Sequence, residues 1–267
     1  MGGKVYLACR RTGAAEEARQ EIIQASHNDQ VEVIQIDLSD YQSIRQCVEE
    51  LNQREPNGIH VLINNAGFVT QHNDERVNGV MKIFAINQVG PFLLTNLLLP
   101  LLKKGAEQSG QNSRIVVLSS GACEAGKIDL DRIDSPHVSS LRAYANSKLA
   151  NLMFTVELAR QLSEKGWPIT ANAVHPGWVQ TELDRNAWLI IRGLSFVASR
   201  LMAKTSGEGA ETSLRLAVDP SLENVSGKYF EMCEESKAKH PMARDVSAHK
   251  RLWDECSKMS SYAPESQ

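Results

Sequence analysis

Tyr144 and Lys148 stand four residues apart in Ala143-Tyr144-Ala145-Asn146-Ser147-Lys148, and Ser120, second of the pair Ser119-Ser120, lies 24 residues before the tyrosine. On a helix, residues four apart share one face. An isolated phenol has a pKa of about 10 and is a poor proton donor or acceptor near neutrality. A lysine cation one turn away favours the phenolate and brings the group towards usable acid–base chemistry. A nearby serine hydroxyl could hold a substrate oxygen by hydrogen bonding. Together these groups suit moving a proton on or off a carbonyl or alcohol oxygen. Taken alone, the Tyr-x-x-x-Lys spacing arises often by chance and equally describes a solvated lysine on a helix surface. The surrounding elements decide between the two.

Apolar runs alternate with helical patterns along the chain, which implies β-α-β units and a parallel sheet. Strands are expected over 5–9, 31–36, 59–63, 115–118, 169–174 and 228–231. Helices are expected over 14–25, 42–54, 79–103, 141–164 and 243–259, the third kinked at Pro91. Ligands of such sheets bind at the carboxyl ends of the strands. Five motifs fall at those ends: Cys9-Arg10-Arg11, Asp37-Leu38-Ser39, Asn64-Asn65-Ala66-Gly67, Ser119-Ser120-Gly121 and His175-Pro176-Gly177-Trp178-Val179-Gln180-Thr181. Asn87 lies inside the expected 79–103 helix, where asparagine is unfavourable.

In this order the motifs resemble the short-chain dehydrogenase/reductase family, and within it the retinol dehydrogenase-like members. Val5-Tyr6-Leu7-Ala8-Cys9-Arg10, Phe92-Leu93-Leu94-Thr95-Asn96-Leu97-Leu98, Ser147-Lys148-Leu149-Ala150-Asn151 and Ser226-Gly227-Lys228-Tyr229-Phe230 support the likeness, which covers nearly the whole chain. It implies an α/β fold with a Rossmann-type, doubly wound parallel sheet in three αβα layers. It also implies hydride exchange between a nicotinamide cofactor and a substrate carbon. Tyr144 is then the acid–base group, and Lys148 lowers its pKa and binds the nicotinamide ribose. Ser120 rather than Ser119 faces substrate, and Asn87 holds a water linking Lys148 to solvent. Asn64, Ala66 and Gly67 let backbone approach the cofactor, a role compatible with an ordinary tight turn. Pro176, Gly177 and Thr181 flank the nicotinamide and its phosphate. Trp178 stands where a smaller residue is common, and His175 reads as structural. Asp37 is expected at the adenine, with Ser39 or Asp40 capping the next helix. Arg10 sits where the adenosine ribose lies and can pair with a 2′-phosphate, and no acidic residue stands at that turn for a 2′-hydroxyl. NADP is therefore expected ahead of NAD; Arg11 reads as a solvated surface charge.

One family feature has no counterpart here. The opening strand and its Thr-Gly-x-x-x-Gly-x-Gly turn, which brings backbone and a helix N-terminus to the cofactor pyrophosphate, is absent from the sequence. Met1-Gly2-Gly3-Lys4 falls where relatives enter their second strand, so Met1 reads as an internal methionine used as a start. In the implied strand order 3-2-1-4-5-6-7 the opening strand pairs with both 5–9 and 59–63. Without it these two lack a common partner, and a chain that folds poorly or rearranges locally is expected.

The 267 residues suffice for one domain with a sizeable core, here expected over 1–267. A net charge of −3 argues against a general nucleic-acid binder. Cys9, Cys47, Cys123, Cys233 and Cys256 are scattered, with no metal-ligand spacing, and read as reduced thiols. Cys123 is close enough to the serine pair to line a pocket, although inert packing suits it better. No signal peptide or uninterrupted run of 18 apolar residues occurs. The apolar stretch 187–203, broken by Arg192 and Arg200, suits an amphipathic helix over a pocket or against a membrane surface, or an ordinary core-facing helix; 187–218 is expected as a substrate lid. The expected setting is the cytoplasmic side, soluble or peripheral on the endoplasmic reticulum membrane. The expected partner is a small lipophilic alcohol or carbonyl of retinoid, steroid or polyprenoid type, and a homodimer through the Tyr144 helix fits the family. The rival reading is a catalytically inactive, shortened form acting through protein interaction.

Overall fold

β-Branched residues concentrate where strands were expected, and strands form there. In this computed structural model residues 2–70, 75–133, 138–177 and 206–263 are described. The strands are β1 (Val5–Cys9), β2 (Val31–Gln35), β3 (Val61–Asn64), β4 (Arg76–Val77), β5 (Val80–Met81), β6 (Ser113–Leu118), β7 (Ile169–His175), β8 (Tyr229–Glu231) and β9 (Glu234–Ser236). The helices are α1 (Thr12–Ser26), α2 (Tyr41–Arg54), α3 (Lys82–Ser109), α4 (Ser140–Glu164), α5 (Ser206–Val218) and α6 (Val246–Ser260).

β3, β6, β7 and β8 pair in parallel in that order, and β9 closes the edge antiparallel to β8. Successive residues of β6 face opposite layers. Ile115 and Val117 enter the main core with α2, α3 and α4, whereas Val116 joins Val174, Leu216, Ala217 and Phe230 beneath α5. This is the expected α/β architecture, a mostly parallel sheet flanked by helices.

The sheet is divided. β1 and β2 form a separate parallel pair, and among the described residues no strand bridges β1 to β3. The two pieces still rest on one layer. Ile34 and Ile36 of the β2 strand and its end pack with Ile44, Val48 and Leu51 of α2, and the same core continues through Leu98 and Leu102 of α3 to Ile115. On the opposite face Val61 and Ile63 of β3 are 37% and 38% exposed. Parallel strands are ordinarily covered on both faces, so this exposure marks the break the sequence predicted.

Helix bounds agree with expectation to within a few residues, except in α3. Arg76 to Met81, which the expected helix partly covered, is a hairpin instead. The helix begins only at Lys82, passes through a π-helical turn at Ala85–Val89, and continues through Pro100 to Ser109. Pro91 therefore opens the α-helical stretch that follows the π turn rather than interrupting a regular helix. A Cβ at Gly105 would stand 2.2 Å from the Ile59 carbonyl oxygen, so only glycine lets α3 press this closely on the approach to β3. By length and apolarity α3 could cross a membrane, but 89% of its most apolar part is buried inside the fold. A core helix under a sheet passes the same test.

The carboxy-terminal helix α6 covers the outer side of α3 and α4. Trp253 stacks on Phe154 at 5.7 Å and meets Phe92 edge-on at 4.9 Å, with Tyr262 closing the cluster. Asp245 caps α6 by accepting from the Ser247 and Ala248 amides. The stretch 178–205, which holds most of the expected lid, lies outside the described residues; its last part, 206–218, corresponds to α5.

Candidate active site

The end of β6 and the start of α4 bring the chemistry together. Ser119 Oγ donates to the Lys148 carbonyl at 2.8 Å, and Lys148 Nζ donates to the Leu118 carbonyl at 2.8 Å. Strand end and helix are thus cross-bonded at the lysine. Gly126 permits this approach, because a Cβ there would stand 2.9 Å from Leu149 Cβ. Asn146 Oδ1 accepts from the Lys127 amide at 2.7 Å and holds the following loop to the same helix.

Tyr144 and Lys148 share a face as their spacing required, with Lys148 Nζ 5.9 Å from the phenol ring centre. Tyr144 is half-buried, whereas Lys148 is 3% exposed. Burial pushes the lysine down from 10.5 to about 8, with desolvation the only cause. It is still mostly cationic near neutrality and can favour the Tyr144 phenolate. The folded pKa lies below the unfolded one, so between about pH 8 and 10.5 the unfolded chain binds more protons and this group adds stability as pH rises. The drop of about 2.5 pH units corresponds to about 3 kcal/mol at 1.36 kcal/mol per unit. Lys148→Met is accordingly expected to stabilise the cofactor-free chain by up to about 3 kcal/mol below pH 8. That advantage should shrink towards pH 10.5 in urea melts of both proteins; a difference independent of pH would contradict it.

Ser120 caps the 3-10 turn Gly121–Ala125, its Oγ accepting from the Ala122 amide at 3.2 Å, while Ser119 is buried and committed to Lys148. Of the two serines, Ser120 is the one left partly accessible. Cys123 is fully buried and its thiol is pushed up to about 11 by desolvation, in keeping with packing rather than reactivity. His175 lies against Gly121, where an added Cβ would stand 3.1 Å from Nε2, and Nε2 is 3.8 Å from a Glu231 carboxylate oxygen. That position suits the structural role expected of it.

Asn87 falls in the π turn, a distortion frequent at functional sites. Its Nδ2 donates to the Phe68 carbonyl and to Ser147 Oγ, and its Oδ1 accepts from the Phe68 amide. The side chain thus ties Phe68, which follows the Asn64–Gly67 turn, to Ser147 of α4. Asn64 Nδ2 donates to Thr95 Oγ1 at 2.8 Å and fixes the turn from beneath, leaving Ala66 exposed and Gly67 half-buried above it. Asp37 Oδ1 accepts from the amide and hydroxyl of Ser39, and Asp40 caps α2 through the Gln42 amide. Arg10 is exposed beyond the end of β1. Pro176 and Gly177 follow β7, and Gly177 takes φ 83°, a conformation that favours glycine. Thr181 and Trp178 lie outside the described residues.

Two further asparagines emerge at the lysine. Asn146 and Asn151 are both buried in α4, two residues before and three after Lys148. The signal that singled out Asn87, an asparagine inside a helix, was present at both.

The residues fit a nicotinamide cofactor on one side. Lys148 is a buried ammonium whose proton affinity is lowered by burial alone, and ribose hydroxyls would give it acceptors. Ala66 and Gly67 offer backbone without obstructing side chains. Among the described residues no strand pairs with both β1 and β3.

Comparison with known proteins agrees with this geometry. The sequence profile of the family described as short chain dehydrogenase matches residues 1–189. Retinol dehydrogenase 14 of Mus musculus is 41% identical over 267 residues, covering 95% of this chain and 77% of its own. Retinol dehydrogenase 12 of Bos taurus is 41% identical over 254 residues with the same coverage. Among solved structures, an uncharacterized protein from Mycobacterium Paratuberculosis superposes with a TM-score of 0.75 at 29% identity, over 98% of this chain and 86% of that one. An NADPH-bound carbonyl reductase from chicken fatty liver shares the fold, with a TM-score of 0.63 at 23% identity over 87% and 86% of the two chains. The chain belongs to the short-chain dehydrogenase family, as a retinol dehydrogenase-like, NAD(P)-dependent oxidoreductase that interconverts alcohols and carbonyls.

Proposed function

We propose that this oxidoreductase prefers NADP and acts on a lipophilic substrate of retinoid, steroid or polyprenoid type. The observation that carries the reading is the buried Lys148 beside Tyr144, cross-bonded to the end of β6 that leads into Ser119 and Ser120, in a chain similar to retinol dehydrogenases 14 and 12. The cofactor, when bound, supplies or takes the hydride. Tyr144 gives the proton to the carbonyl oxygen during reduction and takes it from the alcohol during oxidation. Lys148 lowers the cost of the phenolate and holds the ribose. Ser120 Oγ orients the substrate oxygen, for which its bond to the Ala122 amide must yield or be shared. Asn87 supports this arrangement through the Phe68 and Ser147 bonds and holds the relay water. Asn64, Ala66, Gly67, Pro176, Gly177 and Thr181 line the nicotinamide half of the cleft, and Asp37 contacts adenine.

NADP rests on Arg10, an exposed cation at the end of β1 without a neighbouring acid in its turn. In our reading 1–267 acts as one unit, with 187–218 as lid. The apolar, arginine-broken stretch 187–203 supports peripheral contact with the cytoplasmic side of the endoplasmic reticulum membrane. A homodimer would use a surface other than the outer side of α4, which α6 already covers.

The test is turnover of all-trans-retinal with NADPH and NADH, before and after Arg10→Glu. The parent chain should favour NADPH, and the substitution should lower kcat/KM for NADPH by about 10–100-fold, the worth of a charge-assisted bond of about 1.5–3 kcal/mol. Equal use of both cofactors before and after would refute the preference. One observation favours the inactive reading instead: among the described residues no strand pairs with both β1 and β3. A chain that binds neither cofactor would support it.

A further inference from the structure

Asn151 is three residues from Lys148 on α4, 3% exposed, and its Nδ2 donates to the Leu118 carbonyl at 2.9 Å. Lys148 Nζ donates to that same oxygen at 2.8 Å. Both lone pairs of one carbonyl, on the last residue of β6, are thus taken by two side chains of one helix. The other end of the amide is not satisfied, because Asn151 Oδ1 is buried with no hydrogen-bond partner among the described residues. An unmet buried acceptor is a cost that an aliphatic side chain in a helix would avoid. Asparagine is also a poor helix former. The residue is therefore badly suited to a purely structural task at this position.

We propose that Asn151 is a positioning residue, which through the shared Leu118 carbonyl sets where the Lys148 ammonium lies and how readily it gives up its proton. The inference rests on the role given to Lys148 above. Leu118 immediately precedes Ser119 and Ser120, so the same bond also fixes the serine turn against α4. By donating to the carbonyl, the neutral amide draws on the electron density that would otherwise hold the ammonium. This favours the neutral amine, in the direction already imposed by burial. Arg142, Tyr144 and Glu157 on the same helix, Cys123 and Glu124 on the turn after β6 and His175 at the end of β7 are among the titratable and charged groups on the elements packed around the lysine. Burial is nonetheless the only resolved cause of its lowered pKa.

The test follows the Lys148 side chain directly, by pH titration of its ε-methylene signal in protein labelled with carbon-13 lysine, assigned with Lys148→Met. The parent midpoint should lie near pH 8. Asn151→Asp removes the donor and places a carboxylate beside the ammonium, and should move the midpoint up by about one to three pH units. Asn151→Ser, too short to reach the carbonyl and less demanding on the fold, should also move it up, by a smaller amount. Steady-state kinetics should show kcat falling at least tenfold in Asn151→Asp, with its pH profile displaced the same way. A midpoint unchanged in a folded Asn151→Ser protein would overturn the proposal, whatever becomes of the aspartate variant. The titration needs no turnover. If the midpoint moves in a chain that shows no activity, the positioning role stands and the enzymatic reading fails.

Discussion

Tyr144→Phe is expected to lower turnover by about 10²–10⁴-fold, the usual contribution of a positioned general acid–base group. The substitution keeps the ring, its half-buried setting and the 5.9 Å approach of Lys148, and removes only the hydroxyl. Cofactor affinity and melting temperature should therefore change little. Measuring kcat, NADPH binding and the thermal midpoint on one preparation separates chemistry from folding. Retained turnover would exclude Tyr144 as the proton carrier. Lost turnover together with lost binding would point to damage elsewhere in the cleft.

A comparable effect is expected on stability if the divided sheet is bridged. An added amino-terminal segment that forms a strand between β1 and β3, then a Gly-rich turn and an amphipathic helix, would give both edges a partner. Its helix would cover Val61, Ile63 and Leu214, which are 37%, 38% and 53% exposed. Arg114 pairs in register with Val61 and donates to the Leu216 and Asp219 carbonyls, which sets the end of α5 beside that patch. Full burial of such a side chain contributes about 1.5–3 kcal/mol, so finishing the burial of three adds about 2–4. Each new backbone hydrogen bond adds about 1 kcal/mol. A rise in melting temperature of roughly 10 °C follows for a domain of this size. NADPH should bind more tightly as well, since the new helix N-terminus would face the phosphates. An extended chain that melts and binds as the short one does would show that the gap is not a defect.

Much of this was legible because strand and helix periods were clear. β1 runs over the residues expected, and the ends of β2, β3, β6 and β7 moved by no more than two residues. The hairpin at Arg76–Met81 was missed although its signal was present. Asn78 and Gly79 both take positive φ, the pairing an Asn-Gly turn between apolar residues announces. The helical pattern that follows simply outweighed four short strand residues. β9 carried no such signal, because its turn places Met232 and Cys233 at φ 51° and 66°, residues that rarely adopt that conformation. Tertiary contact with β8 decides it. The covering of α4 by α6 was equally hidden, since Trp253 meeting Phe92 and Phe154 is a contact between distant segments.

At the site, residue types and spacing brought out the serine pair, Tyr144 and Lys148, the family resemblance singled out Ser120, and the fold sets Lys148 beside Tyr144 and bonds it to Ser119. What spacing could not convey was the depth of the lysine. Its low exposure, and hence its lowered proton affinity, depends on β6 and the loop through Gly126 closing over α4. Nor could it separate cofactor contacts from turn chemistry at Asp37 and Asn64, both of which are engaged by neighbouring side chains in the fold.

The most direct measurement is a single turnover with NADPH carrying deuterium at the transferable C4 position, mixed with excess purified chain and all-trans-retinal. The product is then weighed by mass spectrometry. One deuterium per molecule of alcohol, formed by the parent chain and not by Tyr144→Phe, is the predicted result. No deuterium transfer by a folded chain that demonstrably binds NADPH would contradict the assignment of these residues to hydride and proton exchange.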